Sequence, residues 1–187
     1  MYTNTVLEKY WSIFSLLALA LSAGWIVFTA MVYGSSAHEV TVAPQTGLLA
    51  PNFTLFNSGE KEFRLSDFRG RPVLINFWAS WCPPCRAEMP AMQRVYEEYE
   101  AQGFVILAVN AANQDSNPAA QAFASELGLS FPILFDTDGE VGNLYRAGAL
   151  PTSFFVDPQG IVQEVVIGGP MSEALLRTRV ENLLEGR

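Results

Sequence analysis

From Trp11 to Tyr33 the sequence carries no charged side chain. Laid out as a helix at about 1.5 Å per residue, that run reaches roughly 34 Å, enough to cross a hydrocarbon core of about 30 Å. The expectation is a single transmembrane helix over residues 11–33. Tyr10, Trp11 and Tyr33 stand at its ends, where amphipathic rings favour the interface, and Lys9 precedes it while the next basic residue is Lys61. That bias puts residues 1–10 in the cytoplasm as a stub and everything after the helix outside. Ser35-Ser36-Ala37 has the small residues of a signal cleavage site, but the apolar run outlasts the roughly 7 to 15 residues of a signal core, so an uncleaved anchor is expected.

From Gly34 to Gly47 the residues turn to Ser, Thr, Pro and Gly without periodicity, which reads as a linker with His38, the one histidine, in solvent. Residues 48–187 then make one domain of ordinary size, its fold starting near Ala50-Pro51. Half of the chain is hydrophobic and 16% is charged, a composition that packs a core. A formal charge of -8 with eleven scattered Lys and Arg argues against nucleic acid as a partner. Two cysteines, three positions apart, cannot build a multi-bridge scaffold, and with one histidine outside the domain they cannot complete a structural zinc site. No bound cofactor is expected.

Within the domain, apolar alternation and β-rich runs predict short strands at Phe53 to Phe56 and Phe63 to Leu65 and a buried strand at Pro72 to Trp78. A helix follows from Pro84 to Ala101, stopped by Gly103, with Met89, Met92, Val95, Tyr96 and Tyr99 at core spacing. Phe104 to Asn110 is the next buried strand. Asn117 is expected to cap a helix that has Pro118 at its first position and Gly128 beyond its end. A strand at Ile133 to Phe135, a short helix at Glu140 to Tyr145, a hairpin of Thr152 to Val156 and Ile161 to Ile167, and a last helix at Ser172 to Leu184 complete an α/β order with a sheet covered on both faces.

The chemistry concentrates where the buried strand meets the first helix, at Asn76-Phe77-Trp78-Ala79-Ser80-Trp81-Cys82-Pro83-Pro84-Cys85. A thiolate is the attacking species, and free amides and the dipole at a helix N-terminus lower a thiol pKa from about 8.5 toward neutrality. Cys82 is therefore read as the exposed nucleophile. Cys85, one turn into the helix, is read as the buried resolving thiol that attacks a mixed disulfide on Cys82. Pro83 and Pro84 suit a first helical turn, but a residue before proline resists helical geometry. Either Pro83 is strained or the helix starts at Pro84, and then the dipole acts more weakly on Cys82. Covalent haem attachment needs a histidine after the second cysteine, where Arg86 stands.

These residues, together with Leu49-Ala50-Pro51-Asn52-Phe53-Thr54-Leu55, Arg86-Ala87-Glu88-Met89-Pro90 and Leu150-Pro151-Thr152, resemble the TlpA/ResA-like branch of the thioredoxin superfamily, of AhpC/TSA-redoxin type. The resemblance implies a thioredoxin-like fold with an N-terminal strand extension and an inserted helix-strand unit at about Asn117 to Phe135. It implies a redox-active Cys82/Cys85 disulfide, an integral-membrane thiol carrier as electron donor, and disulfide-bonded protein substrates outside the cytoplasm, such as apocytochrome c. Glu88 matches a glutamate assigned to tuning the cysteines. Pro151 matches a cis proline facing them, which leaves the Leu150 backbone free to pair with an extended substrate. Trp81 and Pro83 join Leu150 and Pro151 as substrate-binding residues, although Phe77, Trp78 and Trp81 read equally well as packing. Where thioredoxin buries an aspartate, this chain has Asn76, which cannot titrate.

Two other functions fit parts of the pattern. Peroxiredoxins begin in the manner of Ala50 to Leu55, but they place Pro and Thr or Ser where this chain has Ile75 and Ala79. A Cu(I) carrier would use two thiolates with Met89, a residue that core packing explains more economically. The expected activity is reduction of protein disulfides, because nothing between the cysteines marks a strong oxidant.

Overall fold

The computed structural model describes residues 4–33 and 41–186 and divides the chain into two compact units, Met1–Glu39 and Val40–Arg187. Among its described residues the first contains the helix α1 (Asn4–Tyr33), which includes the uncharged run. Among the described residues no helix is long and apolar enough to cross a membrane. Several side chains of α1 lie outside those residues, so the anchor rests on the sequence. Ser35-Ser36-Ala37 and His38 also lie outside them. The remainder of the expected linker is part of the second unit: Thr41 and Ala43 bond to Leu49, and the Gly47 amide donates to the Val162 carbonyl at 2.8 Å. Polar composition suggested a loose tether, but main-chain pairing fastens residues 41–47 to the domain.

In the second unit, β1 (Thr54–Phe56), β2 (Glu62–Arg64), β3 (Val73–Trp78), β4 (Val105–Asn110), β5 (Ile133–Phe135), β6 (Thr152–Val156) and β7 (Val162–Ile167) form one mixed sheet in the order β2-β1-β5-β4-β3-β6-β7. Strand β3 runs parallel to β4 and antiparallel to β6, so the strand leading to the cysteines is central. Side chains alternate across the sheet as a period of two demands. Leu74, Trp78, Ile106 and Ala108 face one core, while Val73, Ile75, Phe77, Leu107 and Val109 face the other.

The first core is closed by α2 (Pro83–Tyr99), α3 (Asn117–Glu126) and α5 (Glu173–Glu185), and the second by residues 50–65 and α4 (Glu140–Leu144). Burying a side chain the size of Leu176 or Phe123 stabilises by roughly 1.5–3 kcal/mol. The ion pairs Arg94–Glu173 and Arg177–Glu98 along the seam of α2 and α5 are largely exposed, where such pairs contribute about 0–1 kcal/mol. Helix α3 is capped by Ser116 rather than Asn117, with no side-chain hydrogen bond at the cap. The expected cap residue thus becomes the first residue of the helix. The thioredoxin-like architecture holds, with β1–β2 as N-terminal strands and α3–β5 inserted between β4 and β6.

Candidate active site

Strand β3 ends at Trp78, and a turn delivers the chain to Cys82, which caps α2 with extended backbone, φ -83° and ψ 108°. Pro83 and Pro84 occupy the first two helical positions and have no N–H to offer. The first helical amide available is that of Cys85, and it donates to Cys82 Sγ at 3.3 Å. The helix therefore starts at Pro83, not Pro84, and its N-terminus points at Cys82, supplying one amide donor to the sulfur. The two cysteines form a disulfide with a Cα–Cα distance of 5.3 Å.

Cys85 is fully buried, and Cys82 retains only 2% of its surface. The expected exposure of Cys82 is not found in this disulfide state, because both sulfurs pack in the first core with Trp78, Met89 and Phe123. Exposure falls instead on its neighbours: Pro83 is exposed, and Trp81 keeps 55% of its surface. The Trp81 indole donates to the Gln114 carbonyl at 3.0 Å. Trp81 and Leu150 both line a cavity of about 360 Å³ that also involves Asn113 and Arg146. The rings of Phe77 and Trp78 are core packing, as the alternation of β3 requires.

The Leu150–Pro151 peptide is cis, and Leu150 packs against the cluster holding both cysteines. Glu88, three residues past Cys85 on the same face of α2, is fully buried. Its Oε1 accepts from Asn76 Nδ2 at 2.9 Å and its Oε2 from the Met171 amide at 3.2 Å. Burial pushes its pKa above the ordinary carboxylate value, against the opposing pull of those two hydrogen bonds. With the helix starting at Pro83, Glu88 is its sixth residue, past the dipole-favoured first turn, and it points inward.

Three partners of this carboxyl escaped the sequence reading. Asn76 gives its second Nδ2 hydrogen to Ser153 Oγ at 2.9 Å, across the β3–β6 register pair. The Met171 contact is made by backbone, which leaves no mark in a sequence. At Gly169 an added Cβ would stand 2.8 Å from Glu88 Oε2 and 2.9 Å from Pro151 Cγ, so its Cα packs against carboxyl and proline together. A Gly-Gly-Pro run at a strand end was the available signal, and by itself it indicates only a turn.

The AhpC/TSA family model matches residues 46–165, which span β1 through most of β7 and enclose the cysteine pair. The chain belongs to the AhpC/TSA family. Within this family the sequence is 38% identical over 162 residues to thiol-disulfide oxidoreductase ResA of Geobacillus kaustophilus, covering 87% of this chain and 88% of that one. It is 36% identical to ResA of Bacillus subtilis, over 86% and 85% of the two chains. Among solved structures it resembles a thiol:disulfide interchange protein of the thioredoxin family from Chlorobium tepidum, with a TM-score of 0.67 and 28% identity over 73% and 95% of the chains. StoA from Bacillus subtilis gives 0.61 and 28% over 69% and 96%. An AhpC/TSA chain with this likeness to ResA, and with a cysteine pair at the cap of α2, is a thiol-disulfide oxidoreductase of thioredoxin-like fold.

Proposed function

We propose that the enzyme is a membrane-anchored reductase of protein disulfides working outside the cytoplasm, with apocytochrome c among its substrates. The Cys82 thiolate attacks a substrate disulfide and forms a mixed disulfide, releasing one substrate thiol. Cys85 then attacks Cys82 Sγ, frees the second thiol and leaves the Cys82–Cys85 disulfide. An integral-membrane thiol carrier returns two electrons and two protons to the pair. The Leu150 backbone, Pro151, Trp81 and Pro83 receive the substrate, and Glu88 holds a proton near the dithiol. The uncharged Trp11 to Tyr33 run on α1, with Lys9 before it, supports the anchor and its orientation.

The observation that carries the direction of electron flow is the supply of donors to Cys82. With proline at both following positions, one amide reaches its sulfur, and burial of Cys82 in the first core disfavours the charged thiolate. Both features leave the thiolate weakly supported and favour the disulfide, which lowers the reduction potential. Peroxidase chemistry finds less support, since Ile75 and Ala79, where peroxiredoxins carry Pro and a hydroxyl residue, are fully buried apolar side chains. Met89, the third ligand a Cu(I) carrier would need, is spent in the first core.

Redox equilibration of the full chain against dithiothreitol or glutathione tests the proposal. A midpoint near the roughly -270 mV of thioredoxin is expected, and one near the roughly -120 mV of DsbA would make the protein an oxidant. For the anchor, a reporter fused after Arg187 should work only outside the cytoplasm, and release of the protein by alkaline carbonate would refute it.

A further inference from the structure

Asp115 lies on the loop between β4 and α3, and its carboxylate accepts four hydrogen bonds. Oδ2 takes the Ser80 amide at 2.6 Å and Asn110 Nδ2 at 2.8 Å; Oδ1 takes Ser80 Oγ at 2.6 Å and the Ser116 amide at 2.8 Å. Partial burial pushes its pKa up, but the bonds from Asn110, Ser80 and Ser116 outweigh that and hold the group ionised, below the usual carboxylate range. Ser80 stands two residues ahead of Cys82. Its carbonyl accepts from Arg86 Nη1 at 3.2 Å, and the next residue, Trp81, is tied to the Gln114 carbonyl. The turn that brings β3 to the redox pair is thus fastened by Arg86 of the following helix and by the 110–116 loop, and the charged member of that loop's fastening is Asp115.

We infer that Asp115 is a positioning residue for the dithiol: by clamping Ser80 it fixes where Cys82 stands against Cys85, and so sets how readily the pair closes into its disulfide. Closure is intramolecular, and its equilibrium follows the effective concentration of one thiol at the other, a quantity sensitive to small displacements. Loosening the turn lowers that concentration. Removing the carboxylate charge acts in the same direction, because a like charge nearby disfavours the thiolate. Both changes make the disulfide easier to reduce. The inference rests on thiol-disulfide exchange at Cys82 and Cys85 and is independent of which way electrons flow in the cell.

The test is redox equilibration of the full chain with dithiothreitol, which passes two electrons and two protons to the pair and closes into its own cyclic disulfide. Asp115→Ala should shift the equilibrium constant toward the dithiol by about tenfold, a rise in midpoint of about 30 mV. Ser80→Ala, which removes one donor and no charge, should shift it the same way by less, and the double variant should go no further than Asp115→Ala alone. Asp115→Asn should fall between, because an amide in that site faces one donor it cannot accept whichever way it turns. A role confined to stability would lower the melting temperature of these variants and leave the midpoints where they were, which overturns the proposal, as would strictly additive shifts in the double variant. If Asp115→Ala does not fold, unchanged midpoints in Ser80→Ala and Asp115→Asn overturn it equally. The shifts between variants test Asp115, whereas the absolute midpoint of the unaltered chain tests the reductase proposal, so either can fail alone.

Discussion

Asn76 Nδ2 lies 2.9 Å from Glu88 Oε1, and both side chains are fully buried. The amide cannot titrate, so proton exchange in this couple belongs to Glu88 alone. Asn76 spends both hydrogens, on Glu88 and Ser153, while its Oδ1 has no partner among the described residues. The arrangement favours neither protonation state cheaply: two donors suit the carboxylate, and burial suits the acid.

Glu88→Gln should therefore change the pH dependence of stability. Because folding raises the Glu88 pKa above its ordinary 4.5, the native state keeps a proton that the unfolded chain releases as pH climbs past that value. Stability of the unaltered protein falls as pH rises from there to the raised native pKa, by up to about 1.4 kcal/mol per unit. A glutamine side chain escapes this loss and can be accommodated, with its carbonyl toward the Met171 amide and its amide toward a turned Asn76 Oδ1. Denaturant unfolding across that range should show the variant gaining on the parent with pH, and its Cys82 alkylation profile should move. Parallel stability curves together with an unmoved profile would return Glu88 to ordinary packing.

The two cysteines should separate by trapping. With Cys85→Ala the protein should accumulate mixed disulfides on Cys82, and with Cys82→Ala it should not, because the fully buried Cys85 has no donor-lined cap position. Equal capture by the two variants, read on non-reducing gels, would overturn the assignment.

Tyr145 offers a control on the far side of the sheet. Its hydroxyl donates to the Pro51 carbonyl at 2.6 Å, and its ring packs on Phe53, Phe77 and Phe154 in the second core. Tyr145→Phe should cost about 1–3 kcal/mol by leaving a buried carbonyl unpaired, measured by denaturant titration, with the redox midpoint unchanged.

What could be read before folding followed from local sequence pattern. The nearly continuous apolar runs from Pro72 to Trp78 and from Phe104 to Asn110 located the central strands, and the strand-to-helix junction at Trp81-Cys82 located the chemistry. What could not be read was contact across distance. Asp115 sits in an Asn-Gln-Asp-Ser-Asn stretch that signals a turn, and nothing local says that it reaches Ser80. Glu88 reads locally as one more polar residue of a helix, and only the packing of Met171 and Gly169 makes it interior. The expected exposure of Cys82 failed for a related reason: thiol chemistry was inferred from the helix terminus, while access is decided by the cluster around Trp78. The compositional break at residues 34–47 was real, but the hydrogen bonds of its second half are to Leu49 and Val162 and cannot be inferred from composition.

The single Cα of Gly169, packed against both Glu88 Oε2 and Pro151, links two equilibria. Any ligand that lies against Pro151 and displaces Gly169 alters the proton affinity of Glu88 by some factor. Reciprocity then obliges protonation of Glu88 to alter the affinity for that ligand by the same factor. Through this one atom, displacement at the buried Pro151, which belongs to the proposed substrate site, and the acidity of Glu88 become two readings of a single coupling.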